Sequence, residues 1–352
     1  MRIFAFLLLF LSVALGASAS VQDEAGVPAT GALRADSVTF EGATGLLGAT
    51  LVMPPDVPEG GAPAVLMISG SGSQDRDMTV GPYRMFALLA DWLASHGIAS
   101  LRVDDPGSGV SVYDPARFEG RAQLPLLTAN ADSALRYLRS RPGIDPTRTG
   151  IVGHSLGAPI AFALGASRPD DVAFIISLAG YVCDGRAMMV RQNELMMEAA
   201  GVLMMPRIHD TLVSLFETVA TGTPEEVAAA VAASGPTLGV SPLAYDAQTA
   251  VLTSAPYVEM IRFDPAPDFS ALRCPVLMLG GDMDVQVDAT VNNDLARSLN
   301  ARSRGTVLHG VNHLMQEVTS AREGISYAAP GRRFSRDAFR SMESFLTRIL
   351  RR

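Results

Sequence analysis

Short apolar runs that alternate with segments of helical periodicity constrain the fold of this chain more than any other sequence feature. Each run is bounded by Pro, Gly or polar residues, which is typical of a buried strand, and the segments between the runs repeat apolar residues at helical spacing. The predicted strands are 64–68, 98–103, 149–152, 172–178, 275–279 and 306–308, and the predicted helices are 85–93, 127–138, 156–164 and 339–349. This order predicts an α/β fold with a mostly parallel sheet covered by helices on both faces.

The stretch 37–53 alternates apolar and polar residues more regularly and contains Gly. We expect it to form an antiparallel hairpin at the sheet edge. In open parallel sheets, functional sites form beyond the carboxyl ends of the strands. The candidate residues below all follow a predicted strand.

About 90 residues separate the strands 172–178 and 275–279, far more than one crossover helix needs. The excess, 184–265, predicts a helical cap over the carboxyl edge of the sheet, irregular around 235–246, inserted into a core formed by 37–183 and 266–352. The cap is rich in methionine, which either fills its own interior or lines an adaptable apolar pocket. These methionines are Met188, Met189, Met196, Met197, Met204 and Met205.

Residues 1–19 predict a signal peptide. Arg2 supplies the positive end, 3–15 the apolar run, and Ala17-Ser18-Ala19 the small residues before a cleavage site. The apolar run is shorter than the roughly 20 residues of a membrane-spanning helix, although an uncleaved anchor is the alternative. We therefore expect an exported protein, periplasmic or secreted, with no stable membrane span after cleavage.

Charge and cysteine content limit the partners and the bonding of the chain. The net charge of −8, without a run of Lys or Arg, disfavours nucleic acid as a partner. The only cysteines, Cys183 and Cys274, are predicted at opposite ends of neighbouring parallel strands. At about 3.3 Å per residue they would lie roughly 20 Å apart, beyond the limit of about 7 Å for a disulfide, so we expect free thiols.

The sequence Gly153-His154-Ser155-Leu156-Gly157 matches G-x-S-x-G between a predicted strand and a predicted helix. This is the setting of a nucleophile elbow, whose sharp turn leaves no room for side chains two residues before and after the serine. A plain strand-to-helix turn is the alternative. The context favours Ser155 as a nucleophile at a helix N-terminus.

A serine nucleophile needs a base and an orienting acid, which follow it in the order acid, then histidine, in this arrangement. His313 lies in the loop after the last strand and is the predicted base, whereas His309 directly continues that strand and is expected to be buried or to point into the sheet. Asp284 is the predicted acid. The alternatives are Asp282, which could cap a turn, and the more remote Asp184. Structural roles are expected for His96, His154 and His209.

The loop after the first buried strand, 69–77, is rich in Gly and is expected to supply a second oxyanion N–H. Ser71 N–H, paired with Leu156 N–H, is the predicted oxyanion hole. We expect 75–77 to brace this loop through ion pairs, and the tight loop 104–109 on the same rim to be structural. The absence of H-E-x-x-H, of a cysteine cluster and of a phosphate-binding glycine loop predicts no metal and no cofactor.

With these motifs the chain resembles bacterial carboxylesterases of the α/β-hydrolase superfamily, in the group labelled serine-aminopeptidase-like or acyl-CoA-thioester-hydrolase-like. The matching segments are 69–72, 74–77, 153–157, 281–287 and 312–314. The resemblance implies Ser155, Asp284 and His313 as a triad, and related members cleave esters, thioesters or amides. One departure is Pro106, where relatives usually carry Arg before the Gly.

Together the motifs predict a serine hydrolase that acts on a small-molecule acyl substrate. The apolar cap favours carboxylic esters of short to medium acyl groups. The alternatives are a thioesterase or peptidase with the same triad, and a binding protein that keeps the pocket without catalysis.

Overall fold

The computed structural model describes residues 34–350, which form ten strands and twelve α-helices. The strands are β1 (Arg34–Gly42), β2 (Gly45–Met53), β3 (Ala62–Ile68), β4 (Thr79–Val80), β5 (Tyr83–Arg84), β6 (Ala99–Val103), β7 (Ile144–His154), β8 (Ile175–Leu178), β9 (Val276–Gly281) and β10 (Ser303–Leu308). The helices are α1 (Met85–Ser95), α2 (Gln123–Arg139), α3 (Gly157–Ser167), α4 (Gly185–Ala199), α5 (Pro206–Thr221), α6 (Pro224–Leu238), α7 (Tyr245–Leu252), α8 (Ala255–Arg262), α9 (Ala266–Ala271), α10 (Ala289–Leu299), α11 (Ala321–Gly324) and α12 (Arg336–Leu350). Short 3₁₀ turns lie at Pro115–Arg117 and Pro242–Ala244.

Eight of the strands form one sheet in the order β1-β2-β6-β3-β7-β8-β9-β10, and β4 and β5 form a separate ribbon. β2 is antiparallel to both of its neighbours, and the pairs from β6 to β10 are parallel. The β1–β2 hairpin lies at one edge, as the alternating pattern predicted. The chain runs from β3 to β6 on one side and then returns to β7 on the other. The loops after β3 and β7 therefore meet at the switch point of the sheet, where open α/β sheets place their sites.

The continuous apolar strands serve two separate cores, because neighbouring residues of a strand point to opposite faces. In β9, Val276 and Met278 pack in the core that includes α2, α3 and the inserted helices, whereas Leu277 and Leu279 pack in the core with α1 and α12. Both faces of the sheet are thus covered. The predicted mostly parallel α/β architecture is confirmed.

Two boundaries differ from the sequence expectation. β8 begins at Ile175, not at residue 172, because the Val172 N–H donates to the Arg168 carbonyl oxygen in the turn after α3. The segment expected to be irregular, 235–246, is mostly helical. Gly235 lies inside α6 and packs against the Tyr245 ring. The helix ends instead at Gly239, which adopts the left-handed conformation.

Helices α4 to α8 lie between β8 and β9 in the chain, within the segment 184–265. The methionines there do not follow the pocket hypothesis. Met188, Met189 and Met197 are buried in a core cluster, and Met205 is exposed. None of the six predicted methionines lines the cavity described below, which is reached by Met260 of α8 instead.

Cys183 is half-buried, Cys274 is buried, and both are free thiols, as predicted from their strand positions. Within 34–350, no helix combines the length and the hydropathy that crossing a membrane requires. The predicted signal peptide, 1–19, lies outside the described residues.

Candidate active site

Ser155 occupies the turn between β7 and α3 and adopts the left-handed backbone conformation, with φ of 51°. A residue with a Cβ rarely adopts this conformation, and it persists where the surrounding structure holds it. Here the Ser155 N–H donates to the carbonyl oxygen of Leu178 at the end of β8, 2.9 Å away. The neighbouring strand therefore fixes the strained residue in place.

The two glycines of the motif are required by close backbone contacts. A Cβ on Gly153 would clash with the carbonyl oxygen of Gly157, and one on Gly157 would clash with the carbonyl oxygens of Ile68 and Ser69. The turn is therefore pressed against the loop after β3. Leu156 is the N-cap of α3, and its N–H is one of the first helical N–H groups, which have no acceptor inside the helix.

The structure brings His313 and Asp284 together. His313 Nδ1 lies 2.8 Å from Asp284 Oδ2, and both residues are buried, with exposed fractions of 4% and 5%. Because a carboxylate only accepts hydrogen bonds, Nδ1 carries the proton and Nε2 presents a lone pair. The other oxygen of Asp284, Oδ1, accepts the N–H groups of Gln286 and Val287. The imidazole is thus held in the tautomer that can accept a proton.

The loop that carries His313 is held by Asn312. The Asn312 side chain accepts the N–H groups of Leu314 and Gln316 and donates to the Gly324 carbonyl oxygen. The main chain of His313 also meets the elbow directly, because its carbonyl oxygen lies 2.9 Å from Nε2 of His154, the residue before Ser155. His313 and Ser155 are therefore on adjoining segments.

The predicted oxyanion loop touches the serine. A Cβ on Gly70 would lie 3.0 Å from Ser155 Cβ, so the loop backbone passes directly beside the nucleophile candidate. Gly70, Ser71 and Leu156 all line one cavity. Ser71 and Leu156 therefore flank the same space, beside the loop that contacts Ser155.

Charged residues brace this loop, as was predicted for the segment 75–77. Arg76 pairs with buried Asp104, and Asp77 pairs with Arg102. Asp75 differs, since it acts through hydrogen bonds to the N–H groups of Asp77 and Thr79.

Asp105 joins the second rim loop to the oxyanion loop. Its Oδ1 accepts the Ser69 hydroxyl and its Oδ2 accepts the Gln74 N–H, each at 2.9 Å, and its own N–H donates to the Gln74 carbonyl oxygen. Burial raises the pKa of Asp105 to about 7, although the hydrogen bonds from Gln74 and Ser69 act in the opposite direction. The carboxyl group is therefore both a brace and a titratable group inside the site.

A cavity of about 670 Å³ extends from the elbow along α2. Its walls are largely apolar and come from β3, α2, α3 and α8. Four apolar positions of α2 at helical spacing line it: Leu124, Leu127, Ala131 and Ala134. A volume of this size is within the usual range of small-molecule sites, about 300–1,000 Å³.

The far wall of the cavity belongs to the inserted helices. Glu259 of α8 accepts the N–H groups of Gln123 and Leu124 at the start of α2, at 2.7 and 2.9 Å. A carboxylate at a helix N-terminus is favourable because it satisfies free N–H groups and complements the helix dipole. This contact ties the insertion to the core at the cavity.

The model of the family described as serine aminopeptidase, S33, matches residues 81–317, more than half of the chain. The chain belongs to this family. The elbow and the Asp284–His313 pair both lie inside the matched segment. The resemblance drawn from the motifs is thereby confirmed.

A curated relative is esterase EstD of Thermotoga maritima, 33% identical over 122 residues, which cover 34% of this chain and 28% of that protein. The match thus spans less than a third of the relative's length. Among solved structures, Est1E from Butyrivibrio proteoclasticus has a TM-score of 0.53 at 15% identity, covering 90% of this chain and 99% of that one. An esterase of Pyrococcus furiosus has a TM-score of 0.55 at 11% identity, covering 90% and 91%. These likenesses show the α/β-hydrolase fold.

Within this family member, the remaining histidines stand apart from the elbow. His309 was expected to be buried or to point into the sheet, and this was wrong: its side chain is 91% exposed. Leu308 is the last residue of the edge strand β10, so His309 already belongs to the following turn. Its Nδ1 lies 2.6 Å from Asp282, which also accepts the Gly310 N–H across that turn.

Structural positions are also occupied by Asp184, His96 and His209. Asp184 accepts the N–H groups of Arg186 and Ala187 as the N-cap of α4. His96 contacts the Trp92 carbonyl oxygen at the end of α1, and His209 pairs with Glu194 on the insertion.

Sequence reasoning missed the cavity wall. Leu127 and Ala131 were recognised only as part of a helix, Glu259 was given no role in the site, and Asp105 was expected only to be structural within the rim loop 104–109. A helical apolar stripe looks the same whether it faces a core or a cavity, so the pattern carried no signal for this distinction.

Proposed function

We propose that this chain hydrolyses carboxylic esters of short to medium acyl groups by acyl transfer through Ser155, with His313 as base and Asp284 as the orienting acid. The observation that carries the proposal is the buried Asp284–His313 pair, attached through His154 to the turn that holds Ser155 at positive φ. Neither a plain turn nor a binding pocket requires this combination.

In the proposed reaction, His313 Nε2 accepts the proton of the Ser155 hydroxyl as Oγ attacks the ester carbonyl carbon. The N–H groups of Ser71 and Leu156 stabilise the negative oxygen that forms. Asp284 stabilises the imidazolium by accepting the hydrogen bond from Nδ1. The imidazolium then gives its proton to the departing alkoxide, and the ester C–O bond breaks. His313 then deprotonates a water that attacks the acyl-enzyme. As the bond between the acyl carbon and Ser155 Oγ breaks, the imidazolium returns this proton to Oγ, and the acid and free Ser155 are released.

The cavity supports an apolar acyl group. The leaving alkoxide must lie beside His313, which protonates it. The cavity lining contains no residue from the loops that carry Asp284 and His313, and it adjoins the oxyanion loop and Leu156 instead. The part of the substrate on the far side of the carbonyl, the acyl chain, therefore fits this space. The extent of the apolar lining along α2 favours chains longer than acetyl.

The family description makes a peptidase the second candidate. An aminopeptidase binds a protonated α-amino group, for which a carboxyl group in the cavity would be the natural partner. Three carboxyl groups line the cavity, and each already accepts hydrogen bonds within the chain: Asp104, Asp105 and Glu259. The raised pKa of Asp105 further lowers its negative charge near neutral pH. This favours neutral esters over aminoacyl amides.

A fluorophosphonate probe tests the nucleophile. Labelling of the purified protein is expected for the parent and for His309→Ala, and is expected to be lost in Ser155→Ala and strongly reduced in His313→Ala. His309 is the matched control, because it forms a similar pair with Asp282 outside the elbow. Equal labelling of the parent and Ser155→Ala would remove Ser155 from the reaction. Absence of labelling in the parent would favour a non-catalytic binding protein.

A substrate panel tests the bond. Esters, thioesters and aminoacyl amides with one common acyl group are compared by kcat/KM, and esters are expected to be hydrolysed fastest. A preference for the amide would instead support the peptidase.

We also propose export, on the basis of residues 1–19. Mass measurement of the protein recovered from periplasm and medium should give a chain that begins at Ser20.

A further inference from the structure

The ring of His154 lies between the segments that carry the proposed nucleophile, base and oxyanion donor. Its Nε2 is 2.9 Å from the carbonyl oxygen of His313, and the two imidazole rings meet edge to face, with centroids 4.9 Å apart. Only 3% of His154 is exposed. The ring therefore occupies a fixed position behind the elbow.

The hydrogen-bond roles of this ring follow from its surroundings. Burial, followed by the charge of nearby His313, lowers the pKa of His154 to about 3, so the ring is neutral. A carbonyl oxygen only accepts, so Nε2 carries the proton and donates to the His313 main chain. Nδ1 then has only a lone pair. This nitrogen is buried, and it has no hydrogen-bond partner among the described residues.

The unpartnered Nδ1 faces the oxyanion loop. A Cβ on Gly70 would lie 3.1 Å from Nδ1 and 3.0 Å from Ser155 Cβ, so the loop packs against both the ring and the serine. One side of His154 thus contacts the loop that precedes Ser71, and the other side holds the main chain of the base. A hydrocarbon of the same size could fill this space without leaving a buried nitrogen unpaired, so packing alone does not account for histidine here.

We infer that His154 is a positioning residue for the proposed reaction: it sets the placement of the His313 main chain relative to Ser155 and the oxyanion loop. Asp284 holds the imidazole of His313 from Nδ1, and His154 holds the same residue from its carbonyl oxygen. With both ends of the residue held, the position of the His313 imidazole relative to Ser155 is restricted. A shift of about 1 Å in a reacting group can cost on the order of a hundredfold in rate. The inference rests on the proposed function, since it concerns the geometry of that reaction.

Three variants separate positioning from packing. Gln places an amide N–H where His154 Nε2 donates, Asn carries the same amide too short to reach the His313 carbonyl oxygen, and Leu has no donor. For hydrolysis of a short-chain ester, we expect kcat to fall on the order of tenfold to a hundredfold in His154→Asn and His154→Leu, with KM nearly unchanged. His154→Gln should stay within a few-fold of the parent. Equal kcat for parent and Leu, or for Gln and Asn, would overturn the inference.

A second measurement does not depend on catalysis. The Nδ1 proton of His313, shared with Asp284, should give a downfield proton resonance that is assigned by its loss in His313→Ala. It should persist in His154→Gln and shift or broaden in His154→Asn. An unchanged resonance in His154→Asn would refute the positioning role even if the ester activity failed. The converse combination is that the resonance changes as expected in the His154 variants while the parent is not labelled by the fluorophosphonate. That combination would refute the proposed function alone.

Discussion

Replacing Asp105 by Asn should stabilise the protein in a pH-dependent way. The pKa of Asp105 is raised by burial from 3.8 to about 7, so the unfolded chain loses this proton more readily than the folded one. The stability that the protonated carboxyl contributes is present below about pH 4 and is lost as the pH rises to about 7. Above that range, the folded protein carries a charge that burial disfavours. Asn removes the charge and keeps a side-chain oxygen for one of the two hydrogen bonds.

The size of the effect follows from the pKa. A difference of about three pKa units, at about 1.4 kcal/mol each, sets a ceiling of about 4 kcal/mol. Asp105 is only half-buried, so the measured value should be smaller. For a protein of this size, about 2 °C of Tm accompanies each kcal/mol. The gain of Asp105→Asn over the parent should therefore grow by several degrees between about pH 4 and about pH 8.

Thermal unfolding followed by circular dichroism at both pH values measures this difference. Asp56→Asn is the matched control, because Asp56 is exposed, and its Tm difference from the parent should not change with pH. A Tm difference for Asp105→Asn that is the same at both pH values would refute the role of burial. The more stable variant should also be the slower enzyme, since the carboxylate accepts both the Ser69 hydroxyl and the Gln74 N–H of the oxyanion loop.

Three further predictions concern the site. Gly70→Ala adds a Cβ 3.0 Å from Ser155 Cβ, so ester kcat/KM should fall at least about tenfold, and an unchanged value would mean that the loop yields without loss. Ala134→Leu shortens the cavity, so kcat/KM should drop for longer acyl chains, by about fourfold per excluded methylene, and not for acetyl esters. Ala129→Leu, on a different face of α2, is its control, and equal profiles for both variants would argue against an acyl chain in this cavity. Asp284→Asn should reduce kcat on the order of a thousandfold or more, whereas Asp282→Asn should not, and similar losses in both variants would contradict the assignment of Asp284 as the acid.

The fold could be predicted because its signals are local. Each buried strand is a continuous apolar run, and each helix between them has its own period, so the order of elements is readable without tertiary information. The elbow was readable for the same reason. Gly153 and Gly157 are required by contacts within a few residues of Ser155 and with the loop after β3, and both appear in the sequence as a short motif.

Features that depend on the end of an element were less predictable. His309 and His313 are four residues apart, and their different environments depend on where β10 ends. The turn at Gly310, held by Asp282, leaves His309 exposed and turns His313 inward. No propensity in the sequence marks that boundary. The cavity along α2 depends on contacts between segments more than a hundred residues apart, such as Glu259 with the start of α2.

The division of β9 residues between two cores limits how the length of the chain can vary. One residue inserted at the start of β9, before Val276, would send Val276 and Met278 to the opposite face and would shift the chain that leads to Asp284 by about 3.3 Å. Insertions in the segment 184–265 have no such effect on the register of the sheet, because they lengthen only the connection between β8 and β9. The wall of the cavity can therefore be rebuilt without disturbing the hydrogen bond between Asp284 and His313.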